Sequence, residues 1–381
     1  MKKSIKAIMA VVLCLVMLIG TIAIGGDGFA DVLENFSVKA NAAKITSYST
    51  GDIIEFGWYP QTKETNQSII NALESLAGSN AGWESYGYYS GTGDWDDGQM
   101  TAKDYMRYTD VTYNGDVTYN GEKYRGVYFD TYRPFFTGYK TSTSTSTYQD
   151  DNGYTYGNVY WFKYEPIKWR VLDASTGLVM CENIIDSQAY SNYVLWKDHD
   201  EDEEWDADEY YNDSEKYASD WETSSLRAWL NNDFYNTAFT LAEKSNINSR
   251  TNSNKCWGTL NGYSGYEEFD SDDTVDKVFL LSYNEVKNTA YGFDNSASTD
   301  DTARRAKGTD YAKCQGLWVY NDPDSVYDGN SWWWLRSPNC GSSYACGVNR
   351  DGGSNYYYSV GLTREGVRPA LILNPASWTT L

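Results

Sequence analysis

Histidine is almost absent from this 381-residue sequence, and its scarcity removes several classes of enzyme. The one histidine, His199, lies in the acidic run KDHDEDEEWDADE. A zinc site built from several histidines is therefore excluded. A Ser-His-Asp or Cys-His mechanism is disfavoured, because the only imidazole available as a base is expected in a solvated loop. Glycine-rich phosphate loops, Gly-x-Ser-x-Gly elbows and His-Glu-x-x-His motifs are missing as well.

Positive charge is also scarce. Lys and Arg number 31 against 53 Asp and Glu, which gives a formal net charge of −22. Nucleic acids and anionic membrane surfaces are poor partners for such a chain. The aromatic share of 16% is nevertheless far too high for a disordered acidic chain. The sequence therefore predicts a folded acidic protein whose partner at the cell surface is a carbohydrate or a protein.

Only one long apolar run is present, from Ala7 to Ile24, and three lysines precede it. This pattern predicts a secretory signal peptide over residues 1–42. Cleavage is expected after Ala42, with Ala30 as the alternative. An uncleaved membrane anchor stays open, because the run is near the lower limit for spanning a bilayer. The remaining chain is expected to be secreted, extracellular or associated with the cell surface.

The cysteine count is odd once the signal peptide is removed. The five that remain are Cys181, Cys256, Cys314, Cys340 and Cys346. Export permits disulfides, but an odd number leaves at least one thiol unpaired. Cys340 with Cys346 is the preferred disulfide candidate, because both lie in one short loop-rich segment, and Cys256 with Cys314 comes second. Fully reduced cysteines stay open, since a core of this size needs no covalent staples.

The acidic run also raises the question of a metal. Asp198, Asp200 and Asp202 alternate in it and are candidate calcium ligands, because hard oxygen donors suit Ca²⁺. The EF-hand spacing, with its central glycine and closing glutamate, is not met. A solvated acidic loop is the plainer interpretation, and no other cofactor is predicted.

Hydrophobic periodicity and capping residues outline the elements of the fold. Strands are predicted at Tyr48–Gln61, Val159–Leu172, Gly177–Asn183, Val278–Leu281 and the C-terminal end, and helices at Glu64–Ala77, after Thr223–Ser225 and at Thr302–Lys313. Strands at both ends with helices between them predict a single α+β domain over residues 43–381, in which the first and last strands pair.

A long Tyr- and Gly-rich stretch, residues 78–160, interrupts these elements. It contains the hexapeptide DVTYNG twice in tandem at 110–121, and each Asn-Gly is a tight-turn signal. The segment KTSTSTSTY at 140–148 is a polar, flexible tip by composition. We interpret the whole stretch as an insertion of hairpins and loops.

The tail from Ser331 to Asn374 has apolar ends and a polar middle. Fourteen of the twenty residues 339–358 are Asn, Tyr, Ser or Gly, the composition that binding loops favour. Successive tryptophans alternate between the faces of a strand, so Trp334 is expected in the core. Arg336 and Arg368 are expected to form internal bridges, because a buried arginine must be paired. The predicted ligand-binding residues are Trp332, Trp333, Asn339, Ser342, Ser343, Tyr344, Asn349, Asp351, Asn355, Tyr356, Tyr357 and Tyr358.

Four ordered motifs carry a resemblance to a known family. They are FG-x-YPQ at 56–61, EPIKWRVL at 165–172, WLRSP at 334–338 and GVRPAL at 366–371. With them the chain resembles a bacterial family of exported proteins whose domain has no known function and looks like a distant relative of the formylglycine-generating-enzyme and C-type-lectin-like folds. Over residues 46–375 this resemblance implies a mixed sheet with paired N- and C-terminal strands, helices packed on it, and ligand binding by the late loops.

Two functional branches of that fold bear on the tail. Variable targets of diversity-generating retroelements carry altered Asn, Tyr and Ser positions near the C-terminus, and residues 339–358 look similar, although an undiversified turn segment is preferred. Catalytic relatives bind copper through two late cysteines, and Cys340 with Cys346 resembles that pair without its flanking motif. The sequence predicts an exported, non-enzymatic binding protein that presents these loops to a carbohydrate or surface protein. A copper-dependent thiol-oxidising enzyme and an inert cell-surface structural domain are the alternatives.

Overall fold

Two β-sheets, one of nine strands and one of five, organise the part of the chain that the structure describes. The computed structural model describes residues 48–92, 99–113, 122–137, 148–197, 209–298, 300–354 and 356–374. The predicted signal peptide lies outside these residues. Helices are short and sheet pairing is almost entirely antiparallel, so the fold is α+β.

The strands of the described residues are, in chain order, β1 (Ile53–Lys63), β2 (Glu84–Ser85), β3 (Tyr88–Thr92), β4 (Gln99–Lys103), β5 (Met106–Tyr113), β6 (Glu122–Phe129), β7 (Val159–Asp173), β8 (Leu178–Cys181), β9 (Asp186–Ser187), β10 (Leu195–Trp196), β11 (Tyr210–Tyr211), β12 (Ile247–Asn248), β13 (Arg250–Asn254), β14 (Ser271–Asp276), β15 (Val278–Phe279), β16 (Trp333–Pro338), β17 (Tyr344–Val348), β18 (Tyr356–Ser359), β19 (Gly366–Val367) and β20 (Ala370–Leu373).

The α-helices of the same residues are α1 (Gln67–Ala77), α2 (Tyr148–Asp151), α3 (Ser225–Trp229), α4 (Tyr235–Ala238), α5 (Leu241–Lys244), α6 (Trp257–Leu260) and α7 (Asp310–Cys314). A π-helical turn, Leu230–Phe234, joins α3 to α4. Turns of 3-10 helix cover Asn80–Gly82, Glu267–Phe269, Glu285–Lys287 and Thr289–Tyr291.

Strand β7 is the centre of the nine-stranded sheet. It pairs antiparallel with β1, β6 and β8. Trp161, Ile167 and Trp169 are fully buried along it, because alternate residues of a strand share one face. The indole of Trp169 donates to the carbonyl of Phe56 at 2.7 Å, which satisfies its polar atom inside the core. The hairpin predicted from the sequence is confirmed as β7 and β8.

The first and last strands share this sheet but do not pair with each other, so that prediction is wrong. β1 pairs with β7, whereas β20 pairs with β8, β12 and β15. β20 is apolar along its whole length and almost entirely buried, so it needs neighbours on both sides. β1 alternates between exposed and buried residues and carries two irregularities in its register, which suits the margin of a sheet.

The stretch from 78 to 160 contributes β2, β5 and β6 to the nine-stranded sheet. β6 pairs with β7 and is buried through its middle, as a central strand must be. β5 pairs with β6 from Met106↔Phe129 to Tyr113↔Glu122, which forms the expected hairpin. Residues 114–121 and 138–147, with most of the tandem repeat and the polar tip, lie outside the described residues. β3 and β4 form a separate hairpin.

Side-chain caps set the starts of two helices, and the cap at Ser224 lies within the predicted Thr223–Ser225. Asn66 accepts from the backbone N–H of Ser68 at the start of α1, and Ser224 accepts from that of Arg227 at the start of α3. The helix predicted at 302–313 is shorter, and only α7 forms. The backbone at 307–308 makes β-bridges to Asn330 and Ile184, so it is not available for a longer helix.

The five-stranded sheet has the order β18-β17-β16-β19-β9 and carries the C-terminal tail. Strand β16 is buried along its length, which confirms the core position of Trp334. Arg336 in this strand donates to the carbonyl of Leu280 at 2.8 Å. Arg368 donates to the carbonyl of Cys181 at 2.8 Å and is fully buried. Both arginines are therefore the internal bridges that the sequence predicted.

Candidate functional site

Two tyrosines of the predicted binding segment reach the surface. Tyr344 begins β17 and is 39% exposed, and Tyr357 in β18 is 56% exposed. Tyr344 pairs with Ser359 and Cys346 with Tyr357 across the antiparallel strands. Because side chains alternate along a strand, Tyr344 and Tyr357 lie diagonally on one face of the sheet.

The two rings form a defined pair. Their centroids are 5.4 Å apart and their planes meet at 89°, the edge-to-face geometry that aromatic quadrupoles favour. The backbone N–H of Asn339 donates to the carbonyl of Tyr344 at 2.9 Å, and β17 is further held between β16 and β18. Asn339 itself is half-buried. The pair, here called the tyrosine pair, is thus an exposed aromatic surface on regular strands.

The opposite face of the same strands carries a stack of three rings. Tyr358 follows Tyr357 and points the other way, where its ring stacks on Trp332 at 5.3 Å and 20°. Trp318 stacks on Trp332 at 4.0 Å and 13°. The guanidinium of Arg364 lies 5.2 Å from the Trp332 ring. Trp332 therefore has little free ring face for a ligand, although it and Tyr358 are only half-buried.

Four of the predicted ligand-binding residues are buried in the structure. Trp333 is fully buried, and its indole donates to the carbonyl of Arg304 at 3.0 Å. The hydroxyl of Ser342, also fully buried, accepts from the backbone N–H of Tyr210 at 3.1 Å. Ser343 and Asn349 are each 7% exposed. Composition marked this segment as polar, but buried turns use the same residues to satisfy backbone groups.

Of the remaining predicted ligand-binding and metal-binding residues, one lies in a described turn and the side chains of the others lie outside the described part of the chain. Asp351 is half-buried, and its carboxylate accepts from the backbone N–H of Gly353 at 2.9 Å, so it shapes a turn. Asn355 and the side chain of Tyr356 lie outside the described residues, as do Asp198, His199, Asp200 and Asp202. Within the described ranges, no three His, Cys, Asp or Glu side chains form a group that could hold a metal ion.

The predicted bond between Cys340 and Cys346 is not present, because the structure holds both as free thiols. The Cys346 sulfur is buried against the carbonyl of Pro338 at 3.7 Å. Burial raises the pKa of Cys340 to about 11, and the neighbouring thiol of Cys256 contributes to that rise. Burial likewise raises the pKa of Cys346 to about 12. Protonated thiols are weak nucleophiles, so neither sulfur is activated for reaction.

A groove of 320 Å³ lies beside the loop that precedes β17. Tyr211, Tyr217 and Phe269 form its aromatic side, with the ring of Tyr217 between the other two at 5.6 and 5.3 Å. Its other lining residues include the carboxylates of Glu215, Asp220, Glu268, Asp270 and Asp272. Ser219 links the groove to the loop, because its hydroxyl donates to the carbonyl of Gly341 at 3.0 Å.

Sequence reasoning missed this groove and the ring of Trp318. Their members come from segments far apart in the chain, and only the sheet pairing brings them next to the tail. The run Tyr356-Tyr357-Tyr358 did contain a usable signal: in a strand, neighbouring tyrosines must face opposite ways. Once the side of the sheet that Tyr357 faces is known, the alternation shows that Tyr358 faces the opposite side.

Comparison with known proteins gives one match. A family model described as a domain of unknown function, DUF6273, matches residues 176–375. Curated proteins give no match, and neither do solved structures. The matched region contains β8 to β20 and so the whole five-stranded sheet. In the described parts of the chain, no helix has the length and apolar character needed to cross a membrane.

Proposed function

We propose a function for a chain that belongs to the DUF6273 family, which is defined by a domain of unknown function. In this proposal it is an exported, non-enzymatic binding protein that presents the tyrosine pair to a carbohydrate at the cell surface. A surface protein is the alternative ligand. The C-type-lectin-like and formylglycine-generating-enzyme-like character of the fold belongs to the same proposal and rests on the sequence motifs alone.

The exposure of Tyr344 and Tyr357 is the observation that carries this function. The residues on either side of Tyr344, 341–343 and 345–349, are buried, whereas the rings of Tyr344 and Tyr357 are exposed. A tyrosine offers an apolar face for stacking and a hydroxyl for hydrogen bonding, at the cost of ordering only two side-chain torsions. Strands hold both rings in place, so little conformational entropy is lost when a ligand binds.

The charge around the tail favours a neutral ligand. The whole chain has a formal net charge of −22, and the neighbouring groove is lined by five carboxylates and one lysine. Anionic ligands are disfavoured by this field. Carboxylate oxygens accept hydrogen bonds from hydroxyl groups, so a sugar hydroxyl has partners beside an aromatic surface.

The test is a glycan array probed with the chain lacking residues 1–42, alongside the double variant Tyr344→Ala/Tyr357→Ala. The matched control is Tyr132→Ala/Tyr156→Ala, since those rings also meet edge to face, at 5.1 Å and 89°, and Tyr156 is 53% exposed. We expect capture by the parent chain and the control, and loss of capture by the Tyr344/Tyr357 variant. Capture that survives in that variant would show that the ligand lies elsewhere.

A further inference from the structure

A second cavity, of 260 Å³, is lined by residues of β1, β5, β6 and β9 and of the helical segment that follows Ser224. It is smaller than the ~300–1,000 Å³ of sites that hold drug-sized ligands, so it has room for one small ring. No residue of the tyrosine pair lines it. Whatever it binds is therefore independent of the function proposed above.

The floor of the cavity is a buried carboxylate. Asp186 is 1% exposed, and one of its oxygens accepts from the hydroxyl of Tyr59 at 2.7 Å. The other oxygen accepts from the backbone N–H of Ser187 at 2.7 Å and from the amide of Gln188 at 3.0 Å. A carboxylate has about four acceptor positions, so Asp186 retains capacity for one further hydrogen bond.

One wall carries a cation that is already neutralised. Arg125 is 5% exposed, and its guanidinium lies 4.2 Å from the ring of Tyr108. Two of its nitrogens bind the two oxygens of Asp110, at 2.8 and 3.1 Å. This bidentate pairing uses the fork with which arginine would otherwise hold a phosphate or carboxylate. The guanidinium therefore covers one face of the Tyr108 ring, and this wall has no free anion site.

The mouth is formed by one face of the helical segment. Trp229 and Asp233 are four residues apart and Thr237 another four, so the three side chains lie in a row. The π-helical turn 230–234 begins directly after Trp229 and contains Asp233. Such turns are uncommon in proteins and are often found at functional sites. Trp229 stacks on Phe234 at 5.7 Å, which fixes its ring. The carboxylate of Asp233 makes no hydrogen bond or ion pair with the described residues.

We propose that this cavity binds a single neutral sugar ring. The ring of Trp229 covers one apolar face of the sugar, and Asp233, Thr237 and the Asp186 floor bind its hydroxyls. An anionic ligand is disfavoured, because Asp110 already pairs with Arg125 and the carboxylates of Asp186 and Asp233 line the cavity. This arrangement matches the pattern of ligand sites, which combine aromatic lining with a few convergent polar groups.

Calorimetric titration of the whole mature chain with glucose, galactose and N-acetylglucosamine tests the proposal, with glucuronate and glucosamine as charged counterparts. We expect saturable binding of at least one neutral sugar. Asp233→Ala should weaken it about tenfold or more, because a hydrogen bond to a charged group is lost. Since Asp233 is exposed and unpaired within the described residues, this variant should fold normally, and its thermal midpoint provides the check.

Asp324→Ala is the matched control, because Asp324 is likewise exposed and its carboxylate makes no hydrogen bond within the described residues. It should leave the affinity unchanged, and so should Tyr344→Ala/Tyr357→Ala. The proposal is overturned if no neutral sugar binds saturably, if only a charged sugar binds, or if Asp233→Ala binds as tightly as the control. Failure here leaves capture by the tyrosine pair unaffected, so the two proposals are separable.

Discussion

The guanidinium of Arg336 donates to the carboxylate of Glu285 at 2.5 Å, with only 4% and 12% of the two side-chain surfaces exposed. Burial acts to raise the pKa of Glu285, but the charges of Arg336 and Arg250 outweigh it and hold that pKa at about 2. Arg336 lies in β16 of the five-stranded sheet. Glu285 lies in the 3-10 turn that follows β15, and β15 is a strand of the nine-stranded sheet. The pair therefore ties the strand beneath the binding segment to the nine-stranded sheet.

Arg336→Ala should lower the free energy of unfolding by about 1.5–3 kcal/mol, because a hydrogen bond between charged groups is lost while Arg250 still pairs with the Glu285 carboxylate. Urea denaturation measures the change. Arg305→Ala is the comparison: Arg305 pairs with Asp300 near the surface, where 43% of the Asp300 side chain is exposed, and the loss should stay below about 1 kcal/mol. Equal losses in the two variants would contradict a structural role for Arg336.

Glu365 should make the stability pH-dependent. It is fully buried, neither oxygen has a hydrogen-bond partner in the described residues, and burial raises its pKa to about 8 against the opposing charge of Arg364. The folded chain then keeps a proton that the unfolded chain releases above about pH 4.3. The stabilisation that this proton provides is complete below about pH 4.3 and is lost as the pH rises towards 8.

Glu365→Gln removes this titration while keeping the shape of the side chain. The variant should match the parent chain near pH 4 and exceed it by more than about 1 kcal/mol near pH 8, as measured by urea unfolding at each pH. If the two chains differ in their free energy of unfolding by the same amount at pH 4 and at pH 8, Glu365 does not titrate between these pH values.

The cysteines should be reduced in the mature chain. Alkylation in denaturant without a reductant should label Cys181, Cys256, Cys314, Cys340 and Cys346, all of which the structure holds as free thiols. Under native conditions only Cys340, which is half-buried, should react, and slowly, because its pKa is raised to about 11. A disulfide bond between Cys340 and Cys346, detected by mass spectrometry of the digested chain, would contradict this prediction and support the pairing predicted from the sequence.

Within the tail, the residue that stabilises the fold should differ from the two residues proposed to bind the ligand. Trp333→Ala should cost about 3–5 kcal/mol, since it empties a fully buried site in the core. Tyr344→Ala and Tyr357→Ala should each change stability by no more than about 1 kcal/mol, because their rings are exposed. Denaturant midpoints of the three variants provide the comparison, and a large loss in either tyrosine variant would place that ring in the core.

Local patterns predicted local structure well. The β7–β8 hairpin, the cap at Ser224 and the bridging arginines follow from alternation, capping chemistry and the cost of burying charge. The sequence did not predict which strands pair with β20. An apolar pattern shows that a strand is buried, but it does not show which of the other buried strands lies beside it. The structure shows them to be β8, β12 and β15, in place of β1.

The candidate site was predicted only in part, for a related reason. Composition placed Tyr344 and Tyr357, which are exposed, in one group with Ser342 and Trp333, which are buried. Which side of a strand faces water depends on its register with neighbours from elsewhere in the chain. The same limit hid Trp318, whose ring comes to lie on Trp332 at 4.0 Å.

The most direct test of the central claim is the affinity of the Tyr344→Ala/Tyr357→Ala chain for whichever glycan the parent chain captures, measured with its thermal midpoint. The account predicts that binding falls by about a hundredfold or more, given that large aromatic side chains dominate interface energies, while the midpoint stays within a few degrees of the parent. Unchanged affinity, or a midpoint that collapses together with the affinity, would contradict it.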